Sequence, residues 1–178
     1  MEDIMQMAKV AAEVGARSAI ERLETEQEKA RKERRDKRLR NTKMLLQNYR
    51  CFKDCVENSI FDINQMAKED ALEILDLMWE GSVSLQVDSI RQSVVRTAVI
   101  VEHINSMLEI YKIYCERSNK NEDKRRCRVI YALYINPVPD TIEDLAKQEG
   151  VEMRTIYKDI DVAVGTISTL VFGIDGLQ

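Results

Sequence analysis

Glu152, Arg154, Thr155, Tyr157 and Lys158 crowd one short stretch with the side chains that read nucleic acid. A guanidinium can take the O6/N7 edge of guanine or a phosphate. Tyrosine and threonine suit phosphates or thymine methyls, and a carboxylate accepts from a cytosine amine. Such chemistry needs a helix that presents these residues outward while its other face is held in a core.

The surrounding residues supply that helix and a second one crossing it. Over Thr141–Ile160 a small residue, Ala146, allows close approach, and Gly150 four positions later suits a left-handed turn. Leu145, Val151, Ile156 and Ile160 fall where a small shared core would sit. Asp140 with Glu143 matches a capping box, which marks the start of the first helix, and Met153 starts the second. These features predict a helix-turn-helix. Glu149, where an apolar residue often closes the core, and Glu152, where Ser or Thr would cap better, depart from the usual pattern.

The motif is acidic overall. Lys147, Arg154 and Lys158 stand against six carboxylates over residues 141–161, so attraction to phosphate has to come from elsewhere. Two basic stretches qualify. The first is Lys124, Arg125, Arg126 and Arg128, leading into an apolar run to Ile135 that reads as a helix packed on the motif and ended by Pro137 and Pro139. The second lies between Lys29 and Lys43, where nine Lys or Arg against Glu33 and Asp36 give +7 beside −11 for the rest of the chain. Arg31, Arg34, Arg35 and Arg38 share one helical face there, suited to a phosphate backbone or to an acidic partner.

The remainder predicts an all-α fold: a helical bundle followed by the C-terminal motif, preceded by a long charged helix or arm. With 33% charged residues, two prolines and six glycines in 178 residues, almost no sheet is expected. Residues 1–41 read as the charged arm, with a weak apolar stripe at Ile4, Met7, Ala11, Val14 and Ala19 or Ile20 that needs a partner or a second copy to cover it. Residues 42–118 read as the bundle. Met44, Leu45, Tyr49, Phe52 and Val56 mark one helix and Ala71, Leu72, Leu75 and Met78 another. Ile90, Val94, Thr97, Val101, Ile104, Leu108 and Tyr111 alternate by four and three along a third, a seam for intramolecular packing or for a homodimer. After the polar turn Ser118–Asp123, residues 119–178 form the motif-bearing domain. Its last helix continues through Ala163, Val164, Ile167, Leu170 and Val171 to a cap at Gly173.

Several chemistries lack their residues. Cys51, Cys55, Cys115 and Cys127 form no CxxC pair, and His103 is the single histidine, so no metal site and no cofactor is expected. Cys51 and Cys55 read as reduced thiols on one helix face. Without a phosphate loop, HExxH or GxSxG, an enzyme is not expected. Apolar runs too short to span a bilayer and the lack of a signal-like N-terminus predict a soluble intracellular protein with no membrane partner.

Three blocks in order, Lys37–Arg50, Lys124–Ile135, and Arg154–Ile160 with Val171–Leu177, resemble the ArpU and RinA class of phage transcriptional regulators, whose C-terminal module is similar to region 4 of sigma factors. The resemblance covers about residues 37–177 and departs at Cys127, where an aromatic residue is expected. It implies a prophage or phage late-gene activator working in the bacterial cytoplasm at the nucleoid. Its partners would be double-stranded promoter DNA and host RNA polymerase. Two other classes fit the same elements: a packaging adaptor of the small-terminase type, or a protein-interaction module in which the motif is only structural.

Overall fold

The computed structural model describes residues 2–58 and 94–173. The fold is all-α: α1 (Glu2–Gln47), α2 (Tyr49–Glu57), α3 (Val94–Arg117), α4 (Asn121–Ile130) running into a π-helical turn (Tyr131–Ile135), α5 (Ile142–Glu149) and α6 (Met153–Phe172). Among the described residues no helix is long and apolar enough to cross a membrane. The expected helix over Ala71, Leu72, Leu75 and Met78, together with Ile90, lies outside the described residues.

Two compact units divide the chain, Met1–Lys37 and Arg38–Gln178. In the first, α1 is an uninterrupted helix through the charged stretch expected as a helix or an arm. Strong helix formers fill it, and Glu28/Lys32 and Glu33/Lys37 have the favourable i,i+4 order. Every described side chain from Met5 to Asp36 is exposed, including Met7, Val14 and Ile20 of the expected stripe.

Among the described residues the second unit has one core. Leu45, Tyr49 and Phe52 are buried with Val101, Ile104, Leu108 and Tyr111 of the α3 seam, where Thr97 is buried too, and Met44 and Val56 pack at its edge. The same core runs on through Val129, Ile130, Leu145, Ile156, Ile160, Ala163, Val164, Ile167 and Val171. The seam is thus occupied from within this unit. The boundary expected at 118/119 falls inside it, because α3 packs directly on α4 and α6. Polar contacts repeat these packings: Tyr49 donates to Asn105 Oδ1 at 2.6 Å, and His103 Nε2 lies 3.0 Å from the Val171 carbonyl.

Pro137 explains how the fourth helix ends. The residue before a proline is driven to extended backbone, and Asn136 sits at φ −57, ψ 147. Its amide donates to the Tyr131 carbonyl at 2.8 Å, the wider i→i−5 bond of a π turn. Arg50 of α2 meets the carbonyls left over, donating to Asn136 O at 2.5 Å and Leu133 O at 2.8 Å.

The turn between α5 and α6 follows the expected geometry. Gly150 takes φ 64, ψ 36, and the Val151 amide donates to Ala146 O at 3.0 Å, closing the last turn of α5. An alanine at Gly150 would meet no atom within 4 Å, so its cost is conformational alone. Gly150→Ala is expected to destabilise by about 1 to 2 kcal/mol, measured by urea denaturation. An unchanged midpoint would mean the turn relaxes to another backbone conformation.

One start signal is displaced. The N-cap of α5 is Thr141, whose hydroxyl oxygen accepts from the Asp144 amide at 3.1 Å, rather than Asp140 paired with Glu143. The Asp140 amide is engaged with the Ala132 carbonyl at 3.2 Å. That contact holds Asp140 outside the helix and moves the box one residue on.

Candidate nucleic-acid interface

Burial sorts the residues of α6 into two faces. Ile156, Ile160, Ala163, Val164, Ile167 and Val171 form the inner one. Arg154, Tyr157, Lys158 and Asp161 follow one another at i, i+3, i+4 and i+7 and are all exposed, as is Glu152 ahead of the helix; Thr155 is half-buried. The expected outward set is brought together on a single surface at the N-terminal end of α6. Glu152 makes no side-chain cap, so the first backbone amides of α6 have no side-chain acceptor from that position. Gly173 ends the helix at φ 80, as anticipated.

The basic stretch of α4 is arranged differently from the expectation that it faces DNA. Arg125 donates to both oxygens of Asp159, at 2.6 and 3.4 Å, and Arg126 Nε reaches Asp159 Oδ1 at 3.1 Å. Arg126 also holds Asp123 at 2.7 Å, which accepts from the Ser118 hydroxyl at 2.6 Å. Arg128 forms a two-pronged pair with Glu149 at 2.7 and 2.6 Å. Lys124 is exposed. Three of the four cations are therefore turned onto carboxylates of their own unit, where guanidinium geometry matches a carboxylate best. The same pairs explain the odd position of Glu149. An arginine from α4 neutralises it where an apolar residue was expected, leaving its side chain 15% exposed.

Asp159 is the centre of this arrangement and has no role in the sequence reading beyond its charge. Its side chain is 4% exposed on α6, between Ile156 and Ile160, yet it serves two guanidinium groups. The available signal is a carboxylate flanked by core positions of an amphipathic helix, which calls for a buried cation nearby.

Two carboxylates carry a pH dependence. The hydrogen bond from Ser118, aided by the charge of Arg126, holds Asp123 below its ordinary value, and the hydrogen bond from Arg128 does the same for Glu149. A carboxyl whose pKa is lower folded than unfolded adds stability above its unfolded value. That stability is lost as pH falls through the folded one. Stability is thus expected to hold from neutrality down to about pH 4.5, the ordinary value for Glu, and to decline below it. Denaturation midpoints from pH 7 to 3 for the native chain and Arg128→Ala test this. An identical acid profile in the two would remove the Glu149 pair as a contributor.

Arg31, Arg34 and Arg35 are exposed on α1 of the first unit, with Arg34 Nε 3.4 Å from the Ala30 carbonyl. Arg38 belongs to the second unit and is half-buried. All four cysteines are free thiols. Cys115 and Cys127 are within hydrogen-bonding reach of each other, and burial pushes the Cys127 thiol up to about 12, which keeps it protonated and inert. Among the described residues, no group of three or more His, Cys, Asp or Glu is placed to hold a metal ion.

The chain matches no protein-family model, no curated protein and no solved structure.

Proposed function

We propose that α5 and α6 form a helix-turn-helix that reads double-stranded DNA, and that the chain is a sequence-specific transcriptional regulator of the phage late-gene kind it resembles. The observation that carries this reading is the α5–Gly150–α6 geometry. A left-handed glycine turn links a short helix to a longer one whose first two turns expose Arg154, Tyr157 and Lys158 on one face. A recognition helix enters the major groove with these N-terminal residues on the base edges. Arg154 is the candidate for a bidentate guanine contact, Tyr157 and Thr155 for thymine methyls or phosphate, Lys158 for phosphate, and Glu152 for a cytosine amine.

The ion pairs of α4 support a scaffolding role for Arg125, Arg126 and Arg128 within this reading. They fix the angle at which α6 is presented, and Lys124 remains as the exposed cation of that helix outside these pairs. Host RNA polymerase is a further partner on the sigma-like resemblance. The site of action would be the nucleoid of a bacterial host.

The test is selection of random duplexes by the purified chain, with and without core RNA polymerase, followed by sequencing of the bound pool. Enrichment by the chain alone identifies an operator-binding regulator, and enrichment only with polymerase identifies a sigma-like factor. No enriched sequence in either pool, together with a ring of many subunits in sedimentation, would replace this reading with the packaging adaptor.

A further inference from the structure

The outward charge of the reading helix is nearly balanced. Arg154 and Lys158 stand beside Glu152 and Asp161, and the neighbouring arginines are held by Asp159, Asp123 and Glu149. Phosphate attraction, which supplies most sequence-independent affinity for DNA, has little source there. The first unit has one. On α1, Arg31, Arg34 and Arg35 are all exposed and project from one side of a continuous helix. Glu33 and Asp36, the carboxylates of the basic stretch, project from the other side together with Lys29. Over residues 31–35 this face is all cationic, with its side chains stacked one turn, about 5.4 Å, apart.

We infer that this face of α1 is a second contact surface for duplex DNA, gripping the sugar-phosphate backbone without reading sequence. The inference rests on the proposal that DNA is the partner. Its occupant is favoured by charge. A duplex carries one negative charge per about 1.7 Å of axis, whereas the acidic stretch Glu21–Glu28 of a second copy offers four carboxylates interrupted by Arg22. Arginine suits the role because its fork pairs with phosphate oxygens while its charge persists at any working pH.

The experiment compares the full-length native chain with R31Q/R34Q/R35Q and with R31K/R34K/R35K. Binding to an unselected duplex is measured across a range of salt concentrations, alongside sedimentation. Loss of three phosphate contacts is expected to reduce the slope of log K against log salt by about 2 to 3. It should also weaken binding roughly tenfold or more at about 0.1 M salt. The order of preference among selected duplexes should stay unchanged, and the lysine variant should restore the slope. A glutamine variant with the native slope would overturn this inference and leave the proposed function standing. A native chain that binds no duplex would overturn both. A native dimer that the glutamine variant dissociates, with duplex binding unaffected, would reassign the face to the acidic stretch of a second copy.

Discussion

Asp159→Ala is expected to lower the free energy of unfolding by about 3 kcal/mol, the lower end of the range for removing one partner of a buried ion pair. The aspartate side chain is 4% exposed, while those of Arg125 and Arg126 are 17% and 24% exposed. Arg125 would lose its carboxylate and Arg126 one of its two, in surroundings where water compensates only in part. The partial access of the arginines places the expected loss at the lower end rather than the upper. The cost would be that of stranded charge, not of the pair as such, since a well-packed apolar replacement of a whole buried pair is often neutral. Asp159→Ala combined with Arg125→Met, which leaves Arg126 on Asp123, should therefore recover part of the loss. Urea denaturation of the single and double variants measures both. A loss below about 1 kcal/mol in the single variant would mean that solvent reaches the network and that α4 is held on α6 by Val129 and Ile130 alone.

Arg154→Ala is expected to cost about 1 to 3 kcal/mol in binding to a selected duplex, roughly five- to 150-fold in affinity, and to relax preference at one base position. The residue is exposed and takes no part in the α4 ion pairs, so unfolding should be unchanged. Lys158→Ala provides the contrast. A phosphate contact should weaken all duplexes by a similar factor and lower the salt slope by about 1. Competition of selected against scrambled duplexes, repeated for each variant, separates the two behaviours. Arg154→Ala with native affinity and native preference would remove that residue from the reading surface.

Much of the motif was legible because its determinants are short in range. Gly150 forms the left-handed turn, Asn136 is extended ahead of Pro137, Gly173 ends α6, and Ile156, Ile160, Ala163, Val164 and Ile167 are buried at the spacing that periodicity required. The capping box slipped by one residue for a long-range reason. Both Asp140–Glu143 and Thr141–Asp144 satisfy the pattern, and the bond from the Asp140 amide to Ala132 selects the second. The seam of α3 was visible as a seam, yet nothing in its spacing distinguished a partner within the unit from a second copy.

By itself, then, the sequence left the charged N-terminal stretch open between a helix and an arm, and determined an all-α chain, the glycine turn and the outward set on α6. These follow from backbone preferences and from apolar periodicity, which act over one or two turns. Only the tertiary structure decided what the charges do. Arg125 and Asp159 lie 34 residues apart and Arg128 and Glu149 lie 21 apart. A guanidinium has the same chemistry whether it meets a phosphate or a carboxylate of its own chain. Which one it meets depends on distances set by packing, and packing brought Arg125, Arg126 and Arg128 of α4 onto carboxylates of their own unit while leaving Arg31, Arg34 and Arg35 of α1 exposed.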